Sequence, residues 1–228
     1  VLDAAAVEQR GTRVVSDVLR DVPGLAVNRS GTVGGFTQVR VRGAEANHVL
    51  VLIDGIEAAD PFQGEFDFAT LAIDDGARIE VLRGQQSALY GSDAIGGVIH
   101  YITATGRDLD GFTARAEGGS FGTVSGAARA GGVSGTLDYA VSGSAYVTGG
   151  VPTARGGTRD LGSDQFGGSA KLTWTPSDTF RVTAVGRYSN LSADTNNTES
   201  NTRSPRFGTV VDSPGTRFRN EAVYGLLR

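Results

Sequence analysis

From Phe112 onward the apolar residues of this chain fall on every second position. Phe112, Ala114, Ala116 and Gly118 alternate with Thr113, Arg115 and Glu117. Val124, Gly126, Ala128 and Ala130 alternate with Ser125 and Arg129, and Leu137, Tyr139, Val141, Gly143 and Ala145 with Asp138, Ser142 and Ser144. Phe166, Ala170, Leu172 and Trp174 oppose Gln165, Ser169, Lys171 and Thr173, while Phe180, Val182, Ala184 and Tyr188 oppose Arg181, Thr183 and Arg187. Finally Phe218, Ala222, Tyr224 and Leu226 oppose Arg217, Arg219 and Glu221. A period of two places successive side chains on opposite faces of a strand. The pattern therefore predicts six strands of about ten residues, each with one apolar and one charged face.

Before Gly106 the periodicity is different. Val14, Val15, Val18 and Leu19 share one face of a helix predicted over Thr12 to Arg20, and Pro23-Gly24 ends it. Phe36 to Val41 alternates, with Val39 and Val41 on one side. His48 to Ile53 (HVLVLI) is a short apolar run, read as a buried strand turned by Asp54-Gly55. Ile79 to Leu82 and Val98 to Ile102 are two more strands, with a short helix over Gln85 to Tyr90 between them. Asp74-Asp75 reads as a solvated turn. The pattern divides the chain into a small mixed α/β unit, 1–105, and a β unit, 106–228.

Charge divides at the same place. Residues 1–106 carry 8 Arg against 14 Asp and Glu, a charge of −6, whereas residues 107–228 carry 13 Lys and Arg against 11 acids, a charge of +2. In the β unit the connections also alternate after the first hairpin. Gly131 to Gly135 and Pro176 to Asp178 are tight, while Val147 to Asp164 and Leu191 to Thr216 are long and polar. Short turns at one end and long loops at the other mark an outer-membrane barrel. A soluble β-sandwich, the different-class alternative, also alternates. Two features favour the barrel: Arg and Glu stand mid-strand on the polar face, as a watery lumen allows, and Phe112, Tyr146, Trp174, Phe180 and Tyr188 stand near strand ends, where aromatic girdles lie.

Composition narrows the chemistry. The 228 residues include no cysteine, which excludes disulfides, thiolate metal sites and cysteine nucleophiles. A net charge of −4 argues against a nucleic-acid partner. The missing initiator Met suggests a processed or cut chain. For an enzyme, the best material is "GSDAIGG", which is neither G-x-G-x-x-G nor a P-loop, and no G-x-S-x-G elbow occurs. His48 and His100, the two histidines, lack ligand-like spacing to a partner. No enzymatic activity is expected. The most frequent residue is glycine, 34 in all, concentrated where backbone shape rather than reactive chemistry is required.

A globular α/β unit preceding membrane strands resembles a TonB-dependent outer-membrane receptor, a plug followed by the start of a barrel. The residues that carry the resemblance are Asp17-Val18-Leu19-Arg20 with Val22-Pro23-Gly24-Leu25, Val39-Arg40-Val41-Arg42-Gly43, Val49 to Gly55 (VLVLIDG), and Arg78 to Gly84, Ser87 to Gly91 and Ala94 to Val98. Gln85 stands where the family usually has Pro, and His100 where it usually has Asn. The resemblance implies a small α/β plug domain followed by antiparallel transmembrane β-barrel strands. The barrel is expected to be incomplete, with about six strands present, because six leave open edges and unpaired backbone in hydrocarbon costs several kcal/mol per group.

The same resemblance implies active import of a scarce nutrient across the bacterial outer membrane. It also implies outer-membrane lipid as surroundings and the TonB energy-transducing protein as partner, acting on a segment expected to precede Val1. The plug loops Arg29 to Phe36 and Glu57 to Phe68 are expected to face ligand, with Arg29, Phe36, Glu57, Asp60, Phe62, Glu65, Phe66 and Asp67 as contact residues. The second loop holds acids and aromatics but no basic residue, which disfavours an anionic ligand. "LIDGIEAADPFQGEFDFATL" looks most like the cobalamin-receptor branch. Cobalamin or another corrinoid is therefore the expected ligand, with a ferric siderophore or haem as the alternative. Arg42 and Arg83 are expected at the plug–barrel boundary, facing barrel carboxylates. Asp160 and Asp164 on a long loop offer oxygen ligands for calcium, the one cofactor the resemblance suggests.

Overall fold

The structure is a computed structural model and describes residues 1–228 apart from 10, 13, 61, 62, 74 and 75. Helices α1 (Ala4–Gln9) and α2 (Val15–Leu19) come first, followed by strands β1 (Leu25–Arg29), β2 (Thr37–Val41), β3 (Val49–Ile53), β4 (Ile56–Glu57) and β5 (Arg78–Arg83). Helix α3 (Ser87–Tyr90), strand β6 (Gly97–Ile102) and helix α4 (Gly106–Leu109) follow. The long strands are β7 (Gly111–Gly119), β8 (Thr123–Ser134), β9 (Leu137–Thr148), β10 (Ser163–Ser177) and β11 (Phe180–Asp194). Two short strands, β12 (Asn197–Thr198) and β13 (Val210–Val211), precede β14 (Arg217–Leu227). The Asp74-Asp75 turn lies outside the described residues.

The first unit is built on a four-stranded sheet of order β4-β3-β6-β5, in which β3 and β6 run parallel and the other pairs antiparallel. The apolar run read as a buried strand is β3, and its Val49, Val51 and Ile53 join Ile99 and Tyr101 of β6 in the main core. Helix α2 adds Val15, Val18 and Leu19, all fully buried. It begins at Val15, three residues after the expected start, because Val14 is extended and bridges Ala72. A hairpin of β1 and β2 supplies Val39 and Val41 to the same core.

The second unit is one antiparallel sheet of order β14-β11-β10-β9-β8-β7, which wraps one side of the first. Its six strands are those expected from the alternation. The tight turn between β8 and β9 is Gly135-Thr136 rather than Gly131 to Gly135, since the ladder runs on to Ser134 and Leu137. Two aromatic assignments are corrected. Tyr146 faces inward, opposite Ser125 and Gln165, and is not part of an outer girdle. On β14 the expected faces are reversed. Tyr224 pairs with Arg187, an inward residue, so Phe218, Asn220, Ala222, Tyr224 and Leu226 face the plug. Val223 and Leu227 face outward with Arg217, Arg219 and Glu221, which lie nearer the long-loop end. Register with a neighbour sets the parity of a strand, and β14 carries apolar residues on both faces, Phe218, Ala222, Tyr224 and Leu226 on one and Val223 and Leu227 on the other.

The outward face is apolar where a bilayer would meet it. Val124, Val141, Leu172, Val223 and Leu227 are exposed there, and Trp174 and Phe180 meet edge-to-face, 6.1 Å apart, at the short-turn end. Val141 pairs with Ala130 and Ala170 in the middle of this band. In the intact receptor, Val141→Arg is expected to cost about 2–4 kcal/mol of folded barrel. The yield of heat-modifiable barrel in membranes reads this, with Val141→Leu as the unaffected control.

Candidate ligand cavity and plug–wall seam

Between β4 and β5 the chain folds up against the inner face of the wall. The Asp60 amide donates to the Glu65 carbonyl (2.9 Å), the Gly64 amide to the Asp60 carbonyl (2.8 Å) and the Gln63 amide to Asp60 Oδ1 (2.9 Å), closing a compact loop. Asp67 then caps a single turn of 3₁₀ helix, Phe68–Thr70. Its Oδ1 accepts the Ala69 amide (3.0 Å) and, from the start of β2, the Thr37 amide (2.9 Å). One carboxylate thus holds two plug segments together.

Above this loop lies a cavity of about 540 Å³. Phe36, Asp60, Glu65, Phe66 and Asp67 line it from the plug, and Asn220 and Tyr224 are among the residues that line it from β14. Among the described residues none that lines it is basic. Asp67 is only 7% exposed, and among the described residues no donor makes a well-formed hydrogen bond to its Oδ2, Asn220 being the side chain that faces it from β14. Burial pushes its carboxyl up to about 6, against the pull of the Thr37 and Ala69 amides and of Asn220, and the charge of Glu65 adds to the rise. Glu65 accepts Gln38 Nε2 at 2.9 and 3.2 Å. A buried carboxylate oxygen without a donor is costly, so this cavity suits a ligand that brings N–H or O–H groups.

Of the expected contact residues, Phe36, Asp60, Glu65, Phe66 and Asp67 are brought together here. Phe66 also packs edge-to-face on Phe68, centroids 4.9 Å apart, and both belong to the core. Phe62 lies outside the described residues. Arg29 lies apart from them, its guanidinium turned to Asp17 (2.7 Å) and Ser16 (3.2 Å) on α2. Glu57 also lies apart from them, exposed on β4 opposite Leu52. Arg42 and Arg83 are exposed on the plug. Arg83 Nη1 donates to the Pro23 carbonyl (2.7 Å), and among the described residues neither arginine pairs with a carboxylate.

The long loops are folded against each other. Arg159 donates to the Thr195 carbonyl (2.6 Å), Asn196 Oδ1 (3.1 Å) and the Thr216 carbonyl (3.1 Å), and pairs with Asp194 (3.3 Å). Asp164 is engaged by Arg217 at 2.9 Å. Asp160 is exposed, and among the described residues no group of three or more acids or histidines is placed to hold a metal ion. Of the two acids expected to offer calcium ligands, Asp164 is thus paired with an arginine and Asp160 is exposed.

Polar side chains of the wall reach into the plug along β10 and β11. Gln165 Nε2 donates to the Ala69 carbonyl (2.9 Å), Arg187 Nη2 donates to the Ala72 carbonyl (3.2 Å), and the Arg187 guanidinium lies 5.3 Å from the Tyr101 ring centre. Lys171 pairs with Asp54 at 2.7 Å. Sequence reasoning placed these residues on inward faces without assigning them a role. Their signal was a long polar side chain at an inward position.

A plug seated inside antiparallel membrane strands defines the class of β-barrel outer-membrane receptors. Residues 1–98 match the family model of the TonB-dependent Receptor Plug Domain. The vitamin B12 transporter BtuB of Photobacterium profundum is 46% identical over 90 residues, which is 40% of this chain and 15% of that protein. The same transporter of Vibrio vulnificus is 38% identical over 103 residues, 45% of this chain and 17% of that protein. The chain thus spans a small part of the length of the curated relatives it matches. Among solved structures, the ferric yersiniabactin uptake receptor FyuA of Yersinia pestis superposes with a TM-score of 0.67 at 22% identity, over 97% of this chain and 36% of that one. That likeness extends the shared fold across the wall strands. The protein resides in the outer membrane.

Proposed function

We propose that this chain is the plug and leading wall of an active importer that takes up cobalamin or a related corrinoid. On this reading residues 1–105 act as the plug and residues 106–228 as the first part of the barrel. An inner-membrane TonB protein supplies the energy, and the role is transport rather than catalysis. The observation that carries the ligand assignment is the acidic outer cavity, lined by Asp60, Glu65 and Asp67 of the plug and, among the described residues, by no basic one. A corrinoid presents neutral amides, whose N–H groups satisfy carboxylates such as the open oxygen of Asp67. An anionic ferric chelate would meet repulsion, about 1 kcal/mol per close charge pair in water and more once dehydrated. The match of the plug region to vitamin B12 transporters supports the same ligand.

Titration of the intact receptor with cyanocobalamin tests this. Tight, saturable binding is expected. Absence of binding, alongside tight binding of a ferric siderophore or of haem, overturns the corrinoid assignment and leaves an importer of another cargo.

A further inference from the structure

Lys171 is the only lysine in the chain, and it points inward from β10. Its ammonium lies 2.7 Å from Asp54 Oδ1 and 3.3 Å from the Thr103 carbonyl. Asp54 occupies the turn after β3 with φ +51°, and its side chain is 2% exposed. The same carboxylate accepts the Thr103 amide (3.2 Å) and the Thr103 hydroxyl (2.6 Å). The Asp54 amide in turn donates to the Tyr101 carbonyl (2.9 Å). Asp54 and Thr103 therefore tie the ends of β3 and β6 together, and Lys171 joins that tie to the wall.

We propose that Lys171 and Asp54 form a fixed seat, the point at which the plug stays docked on the wall while other parts of it rearrange to let a solute past. This rests on the importer reading above. The pair grips the most buried part of the plug, since β3 and β6 are its two central strands. The plug's margins are held more lightly. Leu2 joins the edge strand β5 through one residue, Ile79, by two hydrogen bonds (2.8 and 2.9 Å). The outer loop hangs on the caps made by Asp60 and Asp67. Rearrangement can thus begin at either margin without unseating the central sheet. A buried ion pair contributes orientation more than net stability, while the loss of one partner strands the other's charge. Lys171 is accordingly a positioning residue: one lumen carboxylate and one wall ammonium fix how the plug sits.

Two measurements on the intact receptor test this. In the first, Asp54→Cys and Lys171→Cys are joined by a short, reducible bismaleimide, and uptake of cyanocobalamin is followed. Uptake within about twofold of the unjoined receptor is expected, because breaking the pair is not part of transport. Uptake that stops on joining and returns on reduction overturns the seat and makes the pair a latch instead. The second measurement needs no cargo. Lys171→Met should admit vancomycin into cells, with sensitivity rising roughly tenfold at normal receptor levels, because Asp54 is left without its cation. Lys171→Arg, and the exchange of Lys171→Asp with Asp54→Lys, should restore the barrier. Unchanged vancomycin exclusion in Lys171→Met overturns the proposal. Should wild-type receptor take up no cyanocobalamin, the corrinoid reading fails and the vancomycin measurement alone decides the seat.

Discussion

Gly97→Val in the intact receptor is expected to leave no folded plug. Gly97 begins β6 at φ +156°, between Val49 of β3 and Arg83 of β5. A Cβ at this position would run into the Leu82 carbonyl oxygen and lie 3.3 Å from Val41 Cγ1. Neither neighbour can give way: Leu82 belongs to the β5–β6 ladder and Val41 is fully buried in the main core. Backbone strain at such a φ and steric overlap act together, so a loss of about 3 kcal/mol or more is expected. Gly91→Ala is the informative comparison. Gly91 also has a positive φ, +91°, but nothing lies within 4 Å of where its Cβ would be. That change should cost only about 1 kcal/mol. Limited proteolysis of the plug in outer-membrane preparations separates the two, with Gly97→Val cut rapidly and Gly91→Ala nearly as resistant as wild type. Equal resistance of Gly97→Val and wild type would remove the close-approach explanation for this glycine.

The second large effect is a pH dependence centred on Asp67. Its carboxyl titrates at about 6 in the folded protein, against an ordinary value of 3.8. The folded plug therefore holds this proton more tightly than the unfolded chain does. The resulting stabilisation is fully present below the ordinary value and is lost as pH rises through about 6. The difference between the two values corresponds to about 3 kcal/mol. Lowering the pH from 7.5 toward 4 should thus slow hydrogen exchange at the Thr37 and Ala69 amides, beyond the intrinsic effect of pH on exchange. Asp67→Asn removes the titration while keeping an oxygen for both amides. At pH 7.5 it should protect them up to roughly 100-fold more than wild type does, and it should flatten the profile. Parallel profiles for Asp67→Asn and wild type would show that burial of Asp67 does not control this junction.

These two residues differ in how visible they are in the sequence. Gly97 stands in "DAIGGVIHYI", where a glycine pair before an apolar run already points to constrained backbone. Asp67 was legible as one acid among several in a loop. Its distinction, a carboxylate that caps a turn, braces β2 and leaves one oxygen open to a cavity, arises from contacts with Thr37 thirty residues away and with β14 across the lumen.

The sequence by itself determined the local order of this protein. The period-two alternation located all six long strands, the apolar run at Val49–Ile53 marked the central strand, and the contrast between short turns and long loops identified a barrel wall following an α/β plug. These are properties of neighbouring residues, where apolar spacing and turn chemistry act within a few positions. Tertiary structure decided what depends on partners far along the chain. Pairing with β11 set which face of β14 looks inward, and so carried Tyr224 and Asn220 to the cavity. Arg29 pairs with Asp17 on α2, and Arg217 with Asp164 at the start of β10, contacts that no local pattern announces. The seat of the plug, Lys171 on Asp54, joins positions 117 residues apart. Local periodicity contains no information about such pairs. Only the register of one strand against the next brings the two charges within reach of each other.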